Sequence, residues 1–191
     1  MKKKLILIGA STGGPGHLKY LFKTLPSSLT TPIIVAQHMN AVFIPSFVQQ
    51  FRTELSIPVT CANHTLTIDK GGLYICEKNC LLHHNSPLKL VLEDAPKETL
   101  YNPSVDDLFL SAVPLCGEVE ILAILLTGIG HDGAKGIAHL HEAGAKCIGE
   151  SEESAVVYGM PKRAKELVPE LEMLTLHEIK QRIERFTHVL F

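Results

Sequence analysis

The most constraining feature of this sequence is the alternation of short apolar runs with longer segments of helical periodicity. The run Ile121–Leu126 carries an apolar side chain at every position, so both of its faces must be buried. A strand buried on both faces is typical of a parallel sheet that helices cover on each side. The alternation therefore predicts an α/β fold with a doubly wound, mostly parallel sheet and helices on both faces.

The same periodicities give approximate bounds for the elements. Six runs predict strands: Leu5–Ile8, Ile33–Ala36, Pro58–Cys61, Ile121–Leu126, Ala145–Ile148 and Leu171–Thr175. Six segments predict helices: Pro15–Leu25, Phe43–Leu55, Val105–Pro114, Ala134–Ala143, Pro161–Leu167 and Leu176–Phe186. The stretch Leu66–Leu92 breaks the alternation, because Leu73–Cys76 and Leu88–Leu92 follow each other as short strands. We expect a small antiparallel β-hairpin insert there.

Composition excludes several classes of protein. The chain has 191 residues, of which 46% are hydrophobic, and 18 Lys and Arg balance 20 Asp and Glu. A net charge of -2 and the absence of Trp argue against a nucleic-acid partner. The apolar runs are far shorter than the roughly 20 residues that span a bilayer, so we expect no membrane insertion. Five cysteines without disulfide spacing suit the cytoplasm. Residues 1–191 show no linker and are expected to form a single domain.

A candidate nucleophile follows the first predicted strand. The segment Gly9–Gly13 reads Gly-Ala-Ser-Thr-Gly, which matches the G-x-S-x-G turn that presents a catalytic serine between a strand and a helix. Ser11 could instead cap the following helix. Pro15 argues against a cap at Ser11, because proline favours the first helical turn and would make Gly14 the cap.

Two further residues complete a Ser, His, Asp set. His38 follows the second predicted strand, and Asp132 follows the apolar run Ile121–Leu126 after a glycine-rich turn. The carboxyl ends of parallel strands meet at the edge where α/β proteins place their sites. Each residue has a simpler explanation, since His38 could be a loop residue and Asp132 could cap the helix that begins near Ala134. The coincidence of all three at one edge favours nucleophilic catalysis.

Two other functions compete with catalysis. The crowded glycines of Gly9–Gly16 could form the phosphate loop of a nucleotide-binding α/β protein, although no Walker or dinucleotide motif fits them. Cys76, Cys80, His83 and His84 could form a zinc-binding module, although their spacing matches no common zinc finger. We expect no metal and no cofactor.

Five blocks in chain order carry a family resemblance: Ile8–Pro15, Gln37–Met39, Pro103–Phe109, Leu126–Ala134 and Val157–Pro161. Together they resemble the signature blocks of the catalytic domain of chemotaxis protein-glutamate methylesterase/glutaminases (CheB). The resemblance implies a cytoplasmic serine hydrolase that demethylates glutamate methyl esters and deamidates glutamines on methyl-accepting chemotaxis receptors. It also places the catalytic triad on Ser11, His38 and Asp132.

Other site residues follow from the mechanism and the resemblance. Peptide N–H groups near Thr12, Gly13 or Ile129 are the expected oxyanion donors. The resemblance implies that Thr12 and Met160 support or line the cleft. Asn40, Ile129 and Cys76–Asn79 depart from the usual pattern, which has proline, methionine and an Ala-Pro-Gly-Gly turn there. We expect these departures to alter substrate fit more than catalysis.

The resemblance also raises the question of regulation. The family commonly carries an N-terminal phosphorylatable receiver domain, whereas ten residues precede Ser11 here. We therefore expect a single methylesterase catalytic domain without a receiver domain, a monomer that is active as it stands.

Overall fold

The computed structural model describes residues 2–84, 86–93 and 100–188. The strands in these ranges are β1 (Lys3–Ala10), β2 (Pro32–Gln37), β3 (Val59–Ala62), β4 (Leu66–Thr67), β5 (Gly72–Cys76), β6 (Cys80–His83), β7 (Lys89–Leu92), β8 (Val119–Leu125), β9 (Lys146–Glu150) and β10 (Glu172–Leu174). The α-helices are α1 (Gly14–Phe22), α2 (Ile44–Glu54), α3 (Val105–Ala112), α4 (Ala134–Glu142), α5 (Met160–Leu167) and α6 (Leu176–Thr187).

The strands form one large parallel sheet and one small antiparallel sheet. The large sheet has seven strands in the order β10-β9-β8-β1-β2-β5-β3, and every neighbouring pair runs parallel. The small sheet has three strands in the order β4-β7-β6. The predicted doubly wound α/β fold and its antiparallel insert are therefore confirmed.

The predicted strand Leu73–Cys76 belongs to a different sheet from the one expected. Leu73–Cys76 was expected to form part of the antiparallel insert, but β5 lies in the large sheet, parallel to both β2 and β3. The insert is built from β4, β6 and β7 instead. All five residues of β5 are buried, which is the pattern of a strand inside a helix-covered parallel sheet.

The core has two layers because side chains alternate between the two faces of each strand. Leu5 and Leu7 of β1 belong to the cluster that includes the buried faces of α3, α4 and α5. Ile6 and Ile8 belong to the cluster that includes α1, α2 and α6. Helices thus cover both faces of the sheet. None of the helices in the described ranges is long and apolar enough to cross a membrane.

Candidate active site

Ser11 lies in the turn between β1 and α1, at the carboxyl edge of the sheet. Its N–H donates to the Thr127 carbonyl at 3.0 Å, and its own carbonyl accepts from Gly14 N–H at 2.8 Å. The N-cap of α1 is Gly13, one residue before the predicted Gly14, and no side chain caps the helix. Ser11 is therefore upstream of the helix and is not its cap.

Glycine is required at two positions around Ser11. Gly13 has φ +86°, which L side chains rarely adopt, and a Cβ there would lie 2.6 Å from Val156 Cγ2. A Cβ at Gly128 would lie 2.7 Å from Ser11 Cβ. The Ser11 turn can approach the loop after β8 because Gly128 lacks a side chain, and it can approach the segment after β9 because Gly13 does.

His38 lies beside Ser11 because β1 and β2 pair in register. Ala10 pairs with Gln37, and the His38 N–H donates to the Ala10 carbonyl at 2.9 Å. Ser11 and His38 are thus the next residues on two adjacent strands. The His38 ring stacks on Tyr101, with ring centroids 4.7 Å apart and an interplanar angle of 7°.

Asp132 is the partner of His38. The carboxylate is 2% exposed, and its Oδ2 lies 2.6 Å from His38 Nε2. It also accepts from the N–H groups of Val105 at 2.7 Å and Asp106 at 2.8 Å, which begin α3. Asp132 therefore does not cap α4, whose N-cap is Gly133 without a side-chain bond.

These donors decide the charge state of Asp132. Burial opposes its ionisation, but the hydrogen bond from His38 and the N–H groups of Asp106 and Val105 outweigh burial and lower the pKa of Asp132. A carboxylate that stays ionised can accept the imidazole Nε2–H and fix the tautomer of the ring. Nδ1 of His38 is then the nitrogen left to accept a proton.

The Ser11 hydroxyl makes no hydrogen bond to His38 among the described residues. In serine hydrolases such bonds often tighten only when substrate is bound. What the structure does bring together is an imidazole–carboxylate pair and a serine at one edge of the sheet, an arrangement suited to attack on a carbonyl carbon.

A buried carboxylate supports the nucleophile turn from the side. Glu150, at the end of β9, accepts from Thr127 N–H at 2.8 Å, from Ser154 Oγ at 2.8 Å and lies 3.2 Å from His17 Nδ1. Thr127 Oγ1 donates to the Thr12 carbonyl at 2.8 Å. Glu150 thus connects the ends of β8 and β9 with α1 and the Ser11 turn.

Comparison with known proteins identifies the relatives of this chain. The family described as CheB methylesterase matches residues 6–183. The chain belongs to the CheB methylesterase family. It resembles the CheB methylesterase catalytic domain of Thermotoga maritima, with a TM-score of 0.87, 28% identity and 100% coverage of both chains.

Two curated proteins are similar to this CheB-family chain. It is 37% identical over 186 residues to the "Protein-glutamate methylesterase/protein-glutamine glutaminase 2" of Carboxydothermus hydrogenoformans and covers 52% of that protein. It is 34% identical over 185 residues to the corresponding enzyme of Symbiobacterium thermophilum and covers 51% of it. The matches include 95% and 97% of this chain. The chain therefore spans about half the length of the curated relatives it matches.

The remaining predicted residues of this CheB-family chain fall into two groups. The N–H groups of Thr12, Gly13 and Ile129 donate no hydrogen bond within the described ranges, and the Ile129 side chain is 62% exposed at the site. Met160 is 0% exposed, and its N–H donates to the Gly128 carbonyl at 2.9 Å. Met160 is thus buried against the loop that carries Gly128, and its role at the cleft stays a prediction.

The zinc alternative has no support in the arrangement of its four residues. Cys76 and Cys80 are buried, whereas His83 and His84 are exposed and face Glu93 and Glu118. Across residues 2–84, 86–93 and 100–188, no three His, Cys, Asp or Glu side chains form a metal-binding group. The CheB names of the relatives reported above support neither a zinc module nor a nucleotide-binding protein.

Sequence reasoning missed three residues that contact the Ser11 and His38 region: Gln37, Tyr101 and Glu150. Gln37 and Glu150 end buried strands at the carboxyl edge, so a polar residue at a strand end was the available signal. Tyr101 lies in an irregular segment before α3 and carries no periodic signal.

Proposed function

We propose that this chain is a serine hydrolase that removes methyl esters from glutamate side chains and deamidates glutamines on chemoreceptor signalling helices. The observation that carries the proposal is the pairing of His38 Nε2 with the buried Asp132 carboxylate at 2.6 Å, next to Ser11. The names of the relatives, protein-glutamate methylesterase/protein-glutamine glutaminase, supply the two carbonyl substrates.

The proposed reaction proceeds through an acyl-enzyme. Ser11 Oγ attacks the ester or amide carbon while His38 Nδ1 takes the hydroxyl proton. The imidazolium, stabilised by Asp132, returns that proton to the leaving methanol or ammonia. Water then attacks the acyl-enzyme with His38 again as the base, which releases a glutamate side chain and restores Ser11.

The oxyanion of each tetrahedral intermediate needs donors near the Ser11 hydroxyl. The N–H groups of Thr12, Gly13 and Ile129 have no acceptor within the described ranges and belong to segments that flank Ser11. Such donors contribute roughly 3 kcal/mol each when they stabilise the transition state. All groups in this mechanism are side chains and peptide N–H groups, so the proposed reaction uses no cofactor and no metal.

Labelling and substitution test this function directly. A fluorophosphonate probe should modify Ser11, as shown by peptide mapping. Ser11→Ala and His38→Ala should fold and lose hydrolysis of a glutamate γ-methyl ester peptide by several powers of ten, because triad residues act as a unit. Asp132→Asn should lower kcat by about 10⁴-fold, since the amide can hold the imidazole in the wrong tautomer.

The matched control is Ser28→Ala, which removes the hydroxyl of an exposed loop residue. It should keep full activity and labelling. If any of the three triad variants retains more than a tenth of the original activity, the assignment of the triad is wrong.

A further inference from the structure

Gln37 is a buried polar residue that the proposed mechanism does not use. It is 1% exposed and is the last residue of β2, directly before His38. Its Nε2 donates to the Ser11 carbonyl at 2.9 Å and to the His38 carbonyl at 3.0 Å. One side-chain amide therefore holds the main chains of both the proposed nucleophile and the proposed base.

The orientation of this amide follows from its partners. Both neighbours are carbonyl oxygens, which can only accept, so the NH₂ group must face them and Oε1 must point away. Oε1 has no hydrogen-bond partner within the described residues and lies against Gly14, where a Cβ would collide with it. A buried oxygen without a donor is unfavourable for stability. Burial of Gln37 therefore costs stability at Oε1, and what the residue provides here is the two bonds made by Nε2.

The location of the amide shows what these bonds do. The β1–β2 ladder ends where Ala10 pairs with Gln37 and His38 N–H reaches the Ala10 carbonyl. Beyond this point Ser11 N–H turns towards β8, to the Thr127 carbonyl. The two main chains lose their direct pairing at the residues whose side chains must meet, and the Gln37 amide connects them there.

We propose that Gln37 is a positioning residue that fixes the separation of Ser11 and His38 in the free protein. This inference rests on the proposed serine hydrolase function. Misplacement of reacting groups by about 1 Å can lower a rate by about 100-fold. Loss of the two Nε2 bonds should therefore lower kcat, while a small substrate that contacts neither bond keeps its KM.

The test uses Gln37→Met, which keeps the length of the side chain and removes both donors. The readouts are kcat and KM for p-nitrophenyl acetate and the rate of Ser11 labelling by a fluorophosphonate. We expect kcat and the labelling rate to fall about 10- to 100-fold, with KM unchanged within about twofold. The control is Ile34→Val, a buried substitution on the same strand that loosens packing without touching the amide.

Ile34→Val should keep kcat within about twofold even where its Tm falls, since no bond to Ser11 or His38 is lost. A Gln37→Met protein with unchanged kcat would overturn the proposal. It would also be overturned if Ile34→Val, at the same Tm as Gln37→Met, lost as much kcat. If Gln37→Met does not fold, Gln37→Asn takes its place, because its shorter amide reaches at most one carbonyl. An unchanged kcat in Gln37→Asn would likewise count against the proposal.

A second measurement needs no substitution. Both side-chain amide protons of Gln37 should exchange with solvent much more slowly in NMR spectra than those of the exposed Gln49. Equal exchange rates would show that the two bonds are absent and would overturn the proposal. Failure of the proposed function is distinguishable, because the unsubstituted protein would then neither label at Ser11 nor hydrolyse esters.

Discussion

At the scale of single residues, the charge on Asp132 is the feature with the clearest measurable effect. Its lowered pKa arises because the donors from His38, Asp106 and Val105 outweigh the effect of burial. In the unfolded chain an aspartate has a pKa of about 3.9. A carboxyl whose pKa is lower in the folded state adds stability above the unfolded value, and this stability is lost as the pH falls through the folded value.

We therefore predict that the stability of the unsubstituted protein falls more steeply below about pH 5 than that of Asp132→Asn, which has no carboxyl to titrate there. The measurement is urea unfolding of both proteins at pH 7, 4 and 3. The difference in unfolding free energy between them should shrink as the pH falls. If the unfolding free energies of the two proteins change in parallel with pH, the lowered pKa of Asp132 is contradicted.

The ring of Tyr101 contacts two histidine rings at the site. Its ring stacks on His38 at 4.7 Å and contacts the ring of His131 edge-on at 6.0 Å. An aromatic pair adds about 0.5–1.5 kcal/mol of stabilisation to that from buried area. If this contact orients the base, its loss corresponds to a decrease of about two- to tenfold in rate. Tyr101→Ala should lower kcat by that factor, as measured with p-nitrophenyl acetate.

Tyr101→Phe is the matched control, because it keeps the ring and removes only the hydroxyl. It should retain kcat within about twofold. Equal losses in both variants would assign the effect to the hydroxyl, which lies close to Gly130, and would reject the stacking explanation.

At the scale of elements, sequence periodicity located the six predicted strands and six predicted helices, each within a few residues of its observed bounds. It failed for Leu73–Cys76, because pairing depends on which distant strand a run meets, and a short apolar run is equally compatible with a hairpin and a parallel sheet. The buried pattern of β5 was visible in the sequence, but its neighbours β2 and β3 were not.

The positions of the candidate catalytic residues were predictable from the sequence, whereas the contacts around them were not. Ser11, His38 and Asp132 follow buried strands, so the rule about carboxyl edges selected them before any contact was known. Their roles remain predictions. A polar residue at a strand end marked Gln37 and Glu150, but their partners, and those of Tyr101, lie in distant segments of the chain and could not be inferred from a local pattern.

The Glu150 carboxylate joins three parts of the fold, because it connects β9 to the loop after β8 and to α1. Both oxygens accept hydrogen bonds, from Thr127 N–H and Ser154 Oγ. In Glu150→Gln a neutral amide oxygen replaces the carboxylate as acceptor for Thr127 N–H, and Ser154 Oγ must change from donor to acceptor to face the new NH₂ group. This should lower the unfolding free energy by about 1–3 kcal/mol. Urea unfolding at pH 7 measures this loss.

Glu120→Gln is the control for charge removal. Glu120 pairs with Lys146 at 2.7 Å on the surface, where such pairs contribute about 0–1 kcal/mol. A Glu150→Gln protein no less stable than Glu120→Gln would show that the buried network does not hold these elements together.

At the scale of the whole molecule, metal removal distinguishes the hydrolase from the zinc alternative. The proposed reaction uses only protein groups, and His83 and His84 are exposed beside Glu93 and Glu118, whereas Cys76 and Cys80 are buried. Dialysis against EDTA should therefore leave Tm and ester hydrolysis unchanged. A fall in either that added zinc restores would revive the metal site.

The order of the strands has a consequence for the durability of the site. Ser11, His38 and Asp132 follow β1, β2 and β8, which are consecutive in the interior of the large sheet, whereas β3 and β10 form its edges. The free energy needed to open a core strand approaches that of unfolding the whole domain, whereas edges open in local fluctuations. Partial opening at an edge therefore leaves the three residues in place. The denaturant concentration at which ester hydrolysis is half lost should equal the midpoint of global unfolding.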